Sequence, residues 1–259
     1  MSSTCEVFRR QFVFDVSKTG CIGIEREAFL RSMKSGQIVP RSQALCELLV
    51  KKGRFLERFG PELSACQIES RTTPVKHSRL SVHLLVLDQY LRASAETLGL
   101  QIAYEEVAPA DMSTAVYPEK RYQQIAEVLP LESLLAACRV AGTHVHVGMP
   151  DFETALRVYN VVIRHAEELC LRGDGSGGER MRLYQIVAGK CNPPVVSSIE
   201  ELFSLAQEQG FAHNLRNWWS LIRITRYGTI EFRMFGSTPS IGKIVGWAKR
   251  CHELCMTAM

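Results

Sequence analysis

No stretch of the 259-residue chain approaches the roughly 20 consecutive apolar residues that a membrane-spanning helix needs. The N-terminal MSSTCEVFRRQF carries charge and lacks the apolar centre of a secretory signal. A cytoplasmic protein with no membrane partner is therefore expected. No C-x-x-C occurs, and the nine cysteines are scattered and odd in number. That spacing argues against a disulfide framework or a zinc knuckle and for reduced, mostly buried thiols. Nothing beside any cysteine marks it as an activated nucleophile. Charge of one sign is also scarce. The formal net charge is +4, and the most basic stretch (Lys51, Lys52, Arg54, Arg58) is interleaved with Glu47 and Glu57. It reads as a solvated face, and no nucleic-acid partner is expected. Walker A and G-x-G-x-x-G loops are absent, so phosphate binding at a glycine-rich helix start is not indicated. RGDGSGGER at 172–180 has the glycines but neither the lysine nor the spacing, and reads as a mobile loop. Without repeats, low-complexity segments or long linkers, the chain is expected to be one domain over 1–259.

What is present is an ordinary globular balance, 46% hydrophobic and 22% charged, with enough length to bury a sizeable core. Residues 21–31, 62–72, 101–107 and 142–148 read as strands, and 218–235 as two strands around Tyr227-Gly228. Helices are predicted at 41–52, 77–98, 118–128, 131–138, 151–171, from Ser197 or Ser198 onward, and at 240–257. Strands and helices are interspersed without regular β-α-β alternation. The predicted class is α+β, a largely antiparallel sheet with helices on one face and the other face free for a site.

Chemistry is concentrated in polar pairs at i, i+2, which share one face of a strand. Glu25 and Glu27 form one pair, His144 and His146 a second, Glu231 and Arg233 a third; Glu69 sits beside Ile68 in a fourth strand. Alone, a Glu pair on a strand is more often a solvated face than a site, His-x-His is more often core or surface than a ligand pair, and Glu231/Arg233 also reads as a cross-strand ion pair. Like charges side by side cost energy unless cations neutralise them, and three strands share the same oddity. Carboxylates with imidazole suit Mg²⁺ or Mn²⁺, and several such ions suit a nucleotide triphosphate whose γ-phosphoryl group is transferred. Arg233 can meet a phosphate or carboxylate in a bidentate way. Spacing alone leaves a zinc or manganese hydrolase open, using His144, His146 and one Glu.

Five segments occur in order: GIERE at 23–27, CQIESRTTPV at 66–75, ACRVAGTHVHVGMPD at 137–151, WWSLIR at 218–223 and YGTIEFRMFGSTPS at 227–240. Together they resemble the glutamate–cysteine ligase and carboxylate–amine ligase family, over roughly residues 20–257. The resemblance implies a fold similar to the catalytic domain of glutamine synthetase. It implies an ATP- and Mg²⁺-dependent ligase that forms an amide of γ-glutamyl type through an acyl phosphate. The small-molecule partners it implies are a glutamate-like carboxylate and an amine, and it is in keeping with self-association. By the same resemblance Glu25, His144 or His146, and Glu231 share one metal. Glu27 and Glu69, with Glu62 seven residues before it, hold metal near the γ-phosphate. Arg233 contacts the transferring phosphate, and Arg182 corresponds to a substrate-side arginine. Where relatives carry an S-P-F-x-x-G segment this chain has LRGDGSGGERMRLY, which leaves the acid and amine open and admits a catalytically weak nucleotide-binding relative.

Overall fold

A computed structural model describes residues 3–55, 57–189 and 191–259. The expectations for the N-terminal stretch and for one domain over 1–259 include Met1, Ser2, Leu56 and Lys190, which lie outside the described residues. Seven strands make one sheet: β1 (Ile22–Ser32), β2 (Phe59–Pro61), β3 (Gln67–Arg71), β4 (Leu100–Ala103), β5 (Gly142–Gly148), β6 (Ile222–Ile224) and β7 (Thr229–Gly236). Their order is β2-β3-β1-β5-β7-β6, with β4 also paired to β1, and every pairing is antiparallel. The predicted α+β architecture with an antiparallel sheet is the one observed.

Alternation assigns the two faces. Ile22, Ile24, Ala28 and Leu30 of β1, Val145 and Val147 of β5, and Ile230 and Phe232 of β7 are wholly buried on one side. There they meet α3 (His77–Glu96) through Leu80 and Leu84, α6 (Phe152–Val162) through Ala155 and Tyr159, and α10 (Ile241–Ala258) through Ile244, Ala248 and Cys251. α2 (Ser42–Lys52) adds Leu45 and Leu49 beside Leu91, Leu100 and Ile102. The opposite face presents Glu25, Glu27, His144, His146, Glu231 and Arg233 into a cleft. α4 (Lys120–Val128), α5 (Leu131–Arg139) and α8 (Glu179–Ala188) supply one wall of that cleft.

Several local expectations change. The strand predicted over 62–72 is shorter, and Glu62 follows β2 in the segment leading to β3. The helix predicted over 151–171 is interrupted by a 3₁₀ turn at Ile163–His165 and continues as α7 (Ala166–Gly173). α1 (Ser3–Arg9) and α8 have no counterpart in the sequence reading; α9 (Ile199–Glu208) starts at Ser198, whose hydroxyl accepts from the Glu201 N–H. RGDGSGGER is tied down at both ends. Asp174 accepts from the N–H groups of Ser176 and Gly178, and Glu106 accepts from Gly175 N–H at 2.7 Å.

Between Val145 opposite Phe232 and Thr143 opposite Phe235, β7 advances three residues while β5 advances two. Arg233 and Met234 therefore share the place opposite His144, a β-bulge of the kind found beside active sites. Among the described residues no helix is long and apolar enough to cross a membrane.

Candidate active site

The strand that carries His144 and His146 begins at Gly142 and ends at Gly148 because other groups pack closely against both. A Cβ on Gly148 would overlap the Lys18 carbonyl oxygen, and one on Gly142 would overlap the Arg180 guanidinium. The free N–H of Gly142 donates to Glu27 Oε2 at 2.6 Å, fixing that carboxylate against the start of β5.

β1 and β5 pair with Glu25 opposite His144, so their polar residues interleave. His144 Nδ1 lies 3.3 Å from Glu25 Oε2 and 3.7 Å from Glu231 Oε1, and its Nε2 lies 3.6 Å from Glu27 Oε1. His146 turns Nδ1 to Thr229 Oγ1 at 3.1 Å, and its Nε2 lies 3.5 Å from Glu25 and 4.0 Å from Glu231. Glu231 is 0% exposed. Its carboxylate is held by the Arg223 Nε–H and by Arg233 Nη1, the latter at 2.5 Å. Burial opposes its charge, but Arg223 and Arg233 with the two imidazoles overcome this and hold Glu231 well below the usual carboxylate range. Burial is likewise outweighed at Glu25, where His146 and His144 lower the carboxyl.

A second group lies toward the β2–β3 edge. Ligand oxygens of Glu27, Glu62 and Glu69 fall within 4.8 Å of one another, as do the ligand atoms of Glu25, His144 and Glu231. Burial, then Glu27, pushes the Glu62 carboxyl up to about 8. Burial, then Glu25 and Glu62, raises Glu69 well above the carboxylate range, with Arg71 Nε 3.0 Å away opposing. Acids forced toward the protonated form by one another, and a buried His146 Nε2 without a hydrogen-bond partner, fit divalent cations. Glu25, His144 and Glu231 would hold one and Glu27, Glu62 and Glu69 another. His146 belongs to neither three-residue group, though its Nε2 borders the first through Glu25 and Glu231.

The cleft has a volume of about 630 Å³. Of the residues singled out from the sequence, Glu25, Glu27, Glu62, Glu69, His144, His146, Glu231 and Arg233 all line it; Arg182 does not. Arg182 is exposed on α8 and borders a separate shallow hollow with Leu131 and Leu135. Two positions earlier on the same helix Arg180, 3% exposed, faces inward. It donates to the carbonyls of Ala141 and Met234 at 3.0 Å and of Arg233 at 3.1 Å. Reading the segment around it as a loop hid this arginine. Arg223 was missed because only the register of β6 shows that it faces Glu231. Tyr184 was missed too; its hydroxyl accepts from Arg233 Nε at 3.2 Å. No cysteine lines the cleft, and burial pushes Cys46, Cys138 and Cys170 up to about 11, the opposite of activation.

A family model described as glutamate-cysteine ligase family 2 matches residues 21–168, more than half of the chain. The chain belongs to that family. The matched span carries six of the eight cleft residues singled out from the sequence, all but Glu231 and Arg233 of β7, so it covers both acidic groups apart from Glu231. A Mycolicibacterium smegmatis protein named "Putative glutamate--cysteine ligase 2-3" is 24% identical, over 94% of this chain and 70% of its own length. A Gloeobacter violaceus protein named "Putative glutamate--cysteine ligase 2" is 26% identical, over 90% of this chain and 66% of its own. Among solved structures, a bifunctional glutathione synthetase from Pasteurella multocida superposes on 100% of this chain at a TM-score of 0.61 and 16% identity. This chain spans 40% of that protein. A Plasmodium falciparum glutamine synthetase gives 0.50 at 11% identity, over 98% of this chain and 54% of its own. These structures share the fold. As a family member, the chain is grouped with carboxylate–amine ligases.

Proposed function

We propose that the chain is the catalytic domain of an ATP- and Mg²⁺-dependent carboxylate–amine ligase, forming a γ-glutamyl-type amide through an acyl phosphate. The observation that carries this reading is the pair of adjacent acidic groups on the open face, flanked by Arg233 and Arg223. Bound Mg²⁺, with Mn²⁺ as a substitute, would offset the charge of the nucleotide phosphates. The chain's own part is to hold and orient. Glu231 accepts from the guanidiniums of both Arg223 and Arg233, and the Tyr184 hydroxyl accepts from Arg233 Nε. A carboxylate oxygen of the acid attacks the γ-phosphorus and ADP leaves. The amine nitrogen then attacks the acyl carbon, phosphate leaves, and the amine gives up a proton. Arg233, nearly buried in the cleft floor, is placed to stabilise the charge on the transferring phosphoryl group.

Purified protein should release ADP and phosphate only when ATP, Mg²⁺, an acid and an amine are all present. Release independent of the amine, or none with any of a broad panel of acids and amines, would sink the ligase reading. Nucleotide binding without turnover would mark a catalytically weak relative. Stoichiometric zinc with ATP-independent hydrolysis would point to the hydrolase instead, although five carboxylates against two imidazoles favour oxygen-seeking ions.

A further inference from the structure

The cleft is not uniform. Across the sheet its β6–β7 edge carries Arg223 and Arg226 with the rings of Trp219 and Tyr227, 40% and 64% exposed. That edge suits a polyanion with a flat base: guanidiniums for phosphate, ring faces for stacking. The β2–β3 edge differs. There α4 turns Tyr122, Ile125 and Val128 toward the cleft at intervals of three, one face of a helix. Leu129, then Ala137 and Val140 at the end of α5 and Val187 of α8, continue this surface. Tyr122 is tied to the Pro61 carbonyl at 2.8 Å, next to Glu62, which sets the wall beside the second acidic group. Ile125, Leu129, Ala137, Val140 and Val187 are only partly buried, and Val128 is 80% exposed at the rim. An apolar surface left open toward a charged floor is the usual form of a small-molecule pocket.

We propose that one of the two substrates joined here, acid or amine, carries a bulky apolar group of branched or aromatic size, seated on Ile125, Leu129, Ala137, Val140 and Val187. This deepens the ligase reading and rests on it for the word "joined". The nucleotide goes to the arginine edge, which leaves the apolar wall to a substrate. Charged side chains beside the wall, Glu119 and Arg121, stand at the start of α4, away from Leu129, Ala137, Val140 and Val187, so the group seated there is uncharged.

Calorimetric titration of the full chain, with ADP and Mg²⁺ present, tests the pocket without turnover. One arm compares phenethylamine with ethylamine and the other phenylbutyrate with butyrate. The bulky member of one arm is expected to bind about tenfold or more tightly than its small partner, the discrimination an apolar pocket gives per methylene or more. The arm that responds says which substrate carries the group. Leu129→Ser, and the near-isosteric Val187→Thr should the first fail to fold, are expected to shrink that preference and leave the small partner's affinity unchanged. The proposal is overturned if neither arm shows a preference, if no bulky probe binds, or if both wall variants keep the preference intact. Tight, wall-dependent binding without ADP release from ATP in any pairing would remove the ligase reading and leave the apolar pocket standing. Fastest turnover with a small polar acid and amine would do the reverse.

Discussion

Arg180 donates through Nη2 to the carbonyl oxygen of Arg233, so one buried arginine holds the backbone of another. Its remaining donors close on Ala141 and Met234, which joins the start of β5 to the bulge of β7. Arg180→Met would keep the bulk and remove the donors, leaving three buried carbonyls short of partners. A destabilisation of about 3 kcal/mol is expected, measured by urea unfolding. If unfolding shows no change, Arg180 does not hold the bulge.

Glu25 and Glu231 should separate in their effects. Glu25→Gln keeps the shape of a partly exposed side chain, so ADP release should fall about 100-fold or more with little change in melting temperature. Glu231→Gln removes a wholly buried charge from between Arg223 and Arg233. Two guanidiniums would be left uncompensated, and a loss of about 3 kcal/mol is expected along with activity. Equal stability in the two variants would refute the difference.

Glu62 and Glu69 make a pH prediction. Both are raised in the fold above the ordinary value of 4.5, Glu62 to about 8, by burial first and then by the neighbouring carboxylates. The folded state then binds more protons than the unfolded state, and their stabilising effect is whole below pH 4.5. It drains away as pH rises toward 8. Protein freed of metal by a chelator should lose melting temperature from about pH 5 to about pH 9, and Glu62→Gln should flatten the slope. Mg²⁺ should restore stability most at the alkaline end, by about 2.7 kcal/mol at a hundredfold excess over its Kd. A profile that rises with pH in the absence of metal would contradict this.

Gly148→Ala tests the close approach of the Lys18 carbonyl to β5. Backbone cannot swing aside as a side-chain tip does, so a cost of about 2 kcal/mol is expected by thermal or chemical unfolding. A neutral substitution would show that the preceding turn moves freely.

Much of the floor of the cleft was legible because strand alternation is a local rule. Glu25, Glu27, His144, His146, Glu231 and Arg233 announce a shared face by spacing alone, and the sheet places them on it. What escaped is set by pairing between distant segments. Nothing in LIRIT says that Arg223 will lie opposite Glu231; only the β6–β7 register does. Arg180 was hidden by its glycine-rich surroundings, whose turn is closed by Glu106, 69 residues earlier. Which ring nitrogen each histidine turns to Glu25 and Glu231 depends on ring orientation: Nδ1 for His144, and Nε2 for His146, whose Nδ1 is taken by Thr229. Of the apolar wall only the helices at 118–128 and 131–138 were legible, with no sign of what they would face, and α8, which adds Val187, was not.

The extra residue in β7 acts as a change of phase. Up to Arg233 the strand gives its odd-numbered positions to the cleft; past Met234 they go to the core, where Phe235 stacks on Trp247 of α10 at 5.0 Å. Had β7 kept Met234 but run on in regular alternation, the Phe235 ring would point to the acidic floor instead. A single peptide unit thus lets one strand serve two masters, a charged workplace at one end and an oily anchor at the other.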